Sequence, residues 1–430
     1  MNATATLRKP DLSESRIRRR YAAERRFKLA GQLAVAAAIG MLGLMLFTIV
    51  KNGWTAFYQT QIALEISFDA AALDPTGARD PEVLRAADWQ GLIKSALKTQ
   101  FPEVTERADR KKLFSLVSSG AGEALMNMAL SDPSLIGQTR RVTLPANDDI
   151  DMLSKGFISR DIVEADRVVD DKEVAWFDKL AANGQVTTHF NSAFLSNGDS
   201  REPEQAGILG ALMGSIYTMA VTLILALPLG ILSAVYLEEF AAKNRWTDLI
   251  EVNINNLAAV PSVVFGLLGL ALFLGVFGMP RSAPLVGGMV LMLMTLPTII
   301  IATRAALKAV PPSIREAAYG VGASPLQVVS HHVVPLAMPG IMTGAIIGMA
   351  RALGESAPLL MIGMVAFIVD VPKGITDAAT VLPVQIYLWA DASERAFVEK
   401  TSAGIIVLLF FLILMNAAAI YIRRKFERRW

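Results

Sequence analysis

The sequence predicts an all-α polytopic membrane protein of six transmembrane helices, with one α+β domain outside the membrane. Three observations carry that class. Hydrophobic residues make up 53% of the chain and mean hydropathy is +0.43, above the range of ordinary soluble domains. The apolar residues gather in runs near the roughly 20 residues that a helix needs to cross hydrocarbon. Between the first run and the second lies a polar stretch, residues 51–204, with 17 basic and 24 acidic residues. It is long enough to bury a core of its own.

Taken in order, the chain opens on a basic tail, 1–28, with nine Lys or Arg against three acids. The first span is 29–50. Residues 34–38 contain A-x-A patterns, so a cleaved leader is the competing reading; the 22-residue apolar run and its long basic lead favour a retained helix. Within 51–204, Ile62, Leu64, Ile66 and Phe68 alternate with polar or small residues, which is a strand pattern. Residues 140–144 and 186–194 read as further strands, and 81–101, 103–118 and 161–180 as helices. The basic trio Arg110, Lys111 and Lys112 reads as a solvated helix face.

Five more spans fall within 205–422. They lie inside the charge-free run 205–237, inside 252–280, at 282–303, from about 340 to 369 with two charges, and at 403–422. A second basic tail, 423–430, has five Lys or Arg against one acid. The positive-inside rule puts both tails in the cytoplasm, and an even number of spans agrees. The polar stretch 51–204 is then extracytoplasmic, and the connection 313–335 cytoplasmic.

Absences narrow the chemistry. With no cysteine, disulfides, thiolate metal sites and cysteine nucleophiles are excluded. No G-x-x-x-x-G-K-[ST] run occurs, so any nucleotide site belongs to another chain. There is no catalytic or nucleic-acid signature, and no cofactor is expected on this chain.

Two stretches do carry chemistry. Residues 316–335 read EAAYGVGASPLQVVSHHVVP between two long apolar segments. Ser313 and Glu316 form an S-x-x-E capping box after Pro311 and Pro312. Gly322 can end that helix in a left-handed conformation. Ser324 and Pro325 offer a second start, and Pro335 limits the second helix. The product is a knob of two short helices at a bend. A purely local reading stays open, with Glu316 only a cap and Gly322 only a stop. His331 and His332 point about 100° apart on a helix and are not expected to chelate one ion. The second stretch is RALGESAPLL, residues 351–360. Arg351 and Glu355 are spaced to share one helix face inside a membrane segment, where charges are costly and face a bundle interior or water. They either hold the bundle as an ion pair or handle a polar cargo. Gly340, Gly344 and Gly348 form a small-residue face for close helix packing, a spacing repeated by Gly210 and Gly214.

The run Glu316-Ala317-Ala318, then Gly322 and Pro335, resembles the EAA loop of bacterial ABC import permeases. His332 and Val334-Pro335 stand where that pattern usually has Ile and Leu-Pro. Together with RALGESAPLL, AVPSVVFGL at 259–267 and LPTIIIATRAALKAVPPSIREAA at 296–318, the chain resembles the PstA family of phosphate ABC transporter permeases over 205–430 and the first span. The long outer segment resembles an N-terminal extension of some members. The resemblance implies a type I importer (MetI-like) fold in a bacterial inner membrane. It implies a heterodimer with a homologous permease, an ABC ATPase dimer that holds ATP and magnesium, and an extracytoplasmic phosphate-binding protein. It assigns ATPase coupling to Glu316, Ala317, Ala318, Gly322 and Pro335. Arg351 and Glu355 fall to the translocation pathway: a phosphate dianion needs positive charge and donors along its path. Sulfate or molybdate is the nearest alternative cargo. A membrane-anchored sensor with an outer ligand-binding domain is the alternative of another class; it predicts a cytoplasmic signalling domain, which the sequence lacks.

Overall fold

The computed structural model describes residues 13–426 apart from Thr76 and Ala78. The outer parts of both basic tails, 1–12 and 427–430, lie outside the described residues. The chain divides into two units between Asn52 and Gly53. The first holds the long helix α1 (Glu14–Gly53) up to its last residue, basic in its first half and apolar over the predicted span 29–50.

In the second unit, residues 54–204 build an antiparallel sheet of order β2-β1-β3, from β1 (Tyr58–Ser67), β2 (Thr139–Pro145) and β3 (Val186–Phe190). Ile62 lies opposite Leu144 on one side and Val186 on the other. The predicted alternation holds, and Ile62, Leu64, Ile66 and Phe68 are buried on one face. Helices α2 (Ala70–Leu73), α3 (Pro81–Ala86), α4 (Trp89–Gln100), α5 (Arg107–Phe114), α6 (Ala121–Ser131), α7 (Asp148–Ser154), α8 (Asp171–Ala182) and α9 (Ser192–Ser196) complete this part. Leu92, Ile93 and Leu97 of α4, Leu125 of α6 and Phe177 of α8 share the core with the sheet.

Four boundaries differ from expectation. The helix expected over 81–101 is split into α3 and α4, because Asp88 caps α4 by accepting from the Gly91 N–H. The helix expected over 161–180 begins at Asp171, because Asp170 and Glu173 form a capping box there. The strand expected to reach 194 stops at Phe190, because Asn191 caps α9. The helix expected over 103–118 is confined to α5, and α6 was not foreseen.

The apolar part holds α10 (Leu209–Val235), α11 (Arg245–Ala258), α12 (Ser262–Gly269), α13 (Pro284–Lys308), α14 (Pro312–Gly320), α15 (Pro325–Gln327), α16 (Val334–Gly354), α17 (Ala357–Met361), α18 (Leu382–Ala390) and α19 (Ala396–Phe426). Among the described residues five helices are long and apolar enough to cross a membrane, and one further pair is bent. The bend corrects the expected span 252–280. α11 and the helix from α12 to Val276 meet at 103°, with Pro261 opening the second limb. The expected span 340–369 is corrected too. Its helix ends at Gly354, and Glu355 leaves helical conformation with ψ of 122°. Pro358 sits in the first turn of α17, where its missing N–H costs nothing.

Small residues set the packing. A Cβ on Gly340 would come within 2.6 Å of Ala306 Cβ, and one on Gly344 would collide with Ala302. Two of the three glycines therefore seat α16 on α13. Gly348 has only ordinary contacts, the nearest at 3.7 Å from Ile299. Gly214 of α10 lets the carbonyl of Thr380, in an extended loop, come close; its neighbour is not a helix.

α19 carries a polar latch at each end. At its start, Glu399 accepts from Lys155 at 2.9 Å, and Lys155 also meets Asp151 of α7 at 2.7 Å. Asp151 and Glu399 are buried, and Lys155 is partly buried between them. Lys400 beside them is buried with its ammonium 4.9 Å from the centre of the Phe194 ring. At its other end, Arg423 donates to Thr343 Oγ1 of α16 at 3.2 Å.

Candidate functional site

The knob at 312–327 is built by its prolines and one glycine. α14 starts at Pro312 after Pro311, with no side-chain cap. The Ser313–Glu316 capping box is therefore absent. The prolines fix φ and remove donors that would otherwise need a cap. Glu316 and Ala317 are exposed, whereas Ala318 is buried under the knob with Leu307 and Val333. Gly322 takes φ of +88°, the left-handed conformation that ends α14, and its N–H bonds to Tyr319 O. Ser324 and Gln327 then form the expected second cap, with Pro325 at the first helical positions.

The second helix is not short. It continues through a wide π-wound turn, Val328–Val333, into α16. Pro335 lies in the first turn of α16 and does not end the helix; the wider winding before it makes room for a residue without N–H. One limb of the knob is thus the entrance of a membrane helix. His331 and His332 lie exposed on the π-wound turn, and no cluster of metal-ligating residues occurs among the described residues.

The second place is the break after α16. Arg351 and Glu355 are 3.7 Å apart, with side-chain exposures of 51% and 22%. They come together as expected, though Glu355 lies past the helix end and not on its face. The pair is long and open, so a bundle-holding role has little geometric support. α17 packs tightly on α12: a Cβ on Gly266 would come within 2.7 Å of Pro358 Cα.

A third group escaped the sequence reading. α10 ends in a π-wound turn, Tyr236–Phe240, that presents Glu238 and Glu239. Glu238 faces Arg304 at 3.3 Å and Lys308 at 3.5 Å, and Arg304 reaches Glu251 of α11 at 2.6 Å. Arg315 of the knob bonds Glu239 at 2.6 Å through Nη2 and at 3.3 Å through Nε. The same guanidinium donates to the carbonyls of Val310 at 2.8 Å and Leu307 at 3.0 Å. The Glu239 carboxylate raises the pKa of Arg315 further above its ordinary value. A trace of this group was present in the sequence: two acids end a charge-free run of 33 residues, 205–237, and need nearby cations at the membrane edge.

The sequence is similar to those of known membrane transport proteins. Residues 226–430 match the family model "Binding-protein-dependent transport system inner membrane component", and residues 14–164 match a domain of unknown function, DUF3333. "Phosphate transport system permease protein PstA 1" of Mycobacterium tuberculosis is 32% identical over 229 residues, 53% of this chain and 74% of that protein. "Probable ABC transporter permease protein YqgH" of Bacillus subtilis is 30% identical over 262 residues, 59% of this chain and 83% of that one. Among solved structures, an inward-facing MetNI methionine ABC transporter is similar with a TM-score of 0.41 and 20% identity, covering 52% of this chain and 95% of its own. On sequence, the chain belongs to the family of binding-protein-dependent ABC transporter permeases, within the group that includes the PstA proteins.

Proposed function

We propose that this chain is the membrane permease subunit of an ATP-driven importer of inorganic phosphate. The observation that carries the reading is its relationship to the PstA phosphate permeases, 32% identity across 74% of a relative's length. The chain forms half of a translocation path with a homologous permease, and ATP and magnesium stay on partner ATPase subunits. An extracytoplasmic binding protein delivers the anion. Six spans place both termini and the knob in the cytoplasm and residues 51–204 outside. The exposed Glu316 and Ala317, on a bend fixed by Gly322, offer the ATPase a protruding surface. Closure of the ATPase dimer moves that knob, and the permease halves follow into the outward-facing state. Arg351, half open at the helix break, supplies positive charge to a dianion. Glu355 orients the guanidinium.

The test is uptake of labelled phosphate by cells containing the whole assembly, with and without this chain, in competition with sulfate and molybdate. ATP-dependent uptake that needs the chain and resists the other oxyanions is the expected result. Equal competition by sulfate would move the cargo, and uptake unaffected by loss of the chain would reject the reading.

A further inference from the structure

We infer that Arg315 and Glu239 form the tether through which the knob moves the membrane helices, an inference that rests on the proposed transport function. Three features of the structure carry it. First, Arg315 joins three elements at once. Its fork holds Glu239 at the end of α10, and its remaining donors hold the Leu307 and Val310 carbonyls at the end of α13. A planar guanidinium with bonds in both directions fixes orientation as well as distance, which a point charge does not.

Second, the connection continues. Glu238, next to Glu239, binds Arg304 and Lys308 of α13, and Arg304 binds Glu251 of α11. A displacement of α14 is therefore passed to α10, α13 and α11 together. Without the tether the knob keeps its two chain connections and the apolar packing of Ala318 with Leu307 and Val333, contacts that lack the direction of a forked hydrogen bond. Third, the group is enclosed. Arg315 is 22% and Glu239 11% exposed in their side chains, while Glu316 beside Arg315 is open. Adjacent residues of one helix are thus divided between outward and inward contact. Glu316 faces a partner and Arg315 holds the chain's own spans. Arg315 is a positioning residue; it touches neither cargo nor nucleotide.

The chain has no cysteine, which permits a direct test in the full transporter reconstituted with cysteine-free partner subunits. Arg315→Gln and Glu239→Gln are compared with wild type for assembled complex in the membrane, ATP hydrolysed and phosphate taken up. Phosphate moved per ATP is expected to fall at least tenfold in either variant. Arg315→Lys is expected to recover only part of it. A double variant, Arg315→Cys with Glu239→Cys, is then joined by a short bis-methanethiosulfonate reagent. The tethered form should regain part of the lost ratio, since the bridge restores the link to α10 but not the bonds to the Leu307 and Val310 carbonyls, and reduction should abolish the gain in the same sample. Retention of the wild-type ratio in Arg315→Gln, or no recovery on tethering, overturns the inference. A wild-type assembly that takes up no phosphate with ATP would reject the functional reading instead.

Discussion

Arg351 lies eight residues beyond Thr343 on α16, about 12 Å deeper along the axis, and Thr343 marks the level that Arg423 of the basic end reaches. Under the proposed topology, with the Arg423 level at the hydrocarbon edge, that depth is close to the middle of a layer of about 30 Å. A guanidinium half open at such a depth faces water or cargo at low cost, and lipid at high cost. Its distance from Glu355, 3.7 Å, makes the pair worth little as a brace. Arg351→Gln is therefore expected to leave subunit abundance within twofold and to lower normalised phosphate uptake at least tenfold. The double change with Glu355→Gln should not restore it; full uptake per subunit in the double variant would remove Arg351 from the path. A second residue carries a pH dependence. Burial first, then repulsion from Asp149, Glu204 and Glu202, pushes the Asp148 carboxyl up to about 7. The folded state thus keeps a proton that the unfolded chain releases near pH 4. Stability is lost as pH rises from about 4 to about 7, and the loss is complete above that window. Asp148→Asn should stabilise the subunit by about 1 kcal/mol at pH 8, allowing for the solvent that still reaches the carboxylate, and by almost nothing at pH 4. Thermal unfolding of the purified subunit at the two pH values measures this, and an equal gain at both would refute it.

At the scale of elements, the glycine face of α16 is divided. Gly344→Val places a branched side chain into Ala302 and should destabilise the α13–α16 contact by about 1–3 kcal/mol. Gly348→Ala meets nothing closer than 3.7 Å and should be neutral or slightly stabilising through helix propensity. Thermal melts of the two variants decide it; equal effects would mean that α16 does not seat on α13 through Gly344. The spacing of the three glycines was legible in the sequence, but which of them bear the contact was not, because that depends on the rotation of α16 against its neighbour. The same distinction runs through the fold. The alternation from Ile62 to Phe68 announced β1 because burial on one face repeats every second residue. Gly322 announced the bend because few other residues take φ of +88°. The pairing of Arg315 with Glu239 was hidden, since 76 residues separate them and nothing local marks either. The bend before α12 and the break after Gly354 were hidden as well. Apolar composition continues across both, so a count of hydrophobic residues sees one span where the backbone turns.

For the whole molecule, the two latches of α19 bear on topology. Glu399 meets Lys155 of the sheet-containing part, and Arg423 meets Thr343 close to the knob. The 24 steps from Glu399 to Arg423 cover about 36 Å as an α-helix, more than the thickness of hydrocarbon. The part holding Asp151 and Lys155 and the part holding the knob are thus at opposite ends of a helix long enough to cross. The basic residues Arg423, Arg424 and Lys425 support the proposed cytoplasmic placement of the knob end under the positive-inside rule. The absence of cysteine makes the orientation measurable by single substitutions. Ser131, Ser313 and Lys425 are all exposed. In sealed spheroplasts a membrane-impermeant maleimide should label Ser131→Cys and spare Ser313→Cys and Lys425→Cys, which should react only after permeabilisation. Labelling of either of the last two in sealed cells would put the knob outside, beyond reach of a cytoplasmic ATPase, and the transport mechanism would fall with the topology.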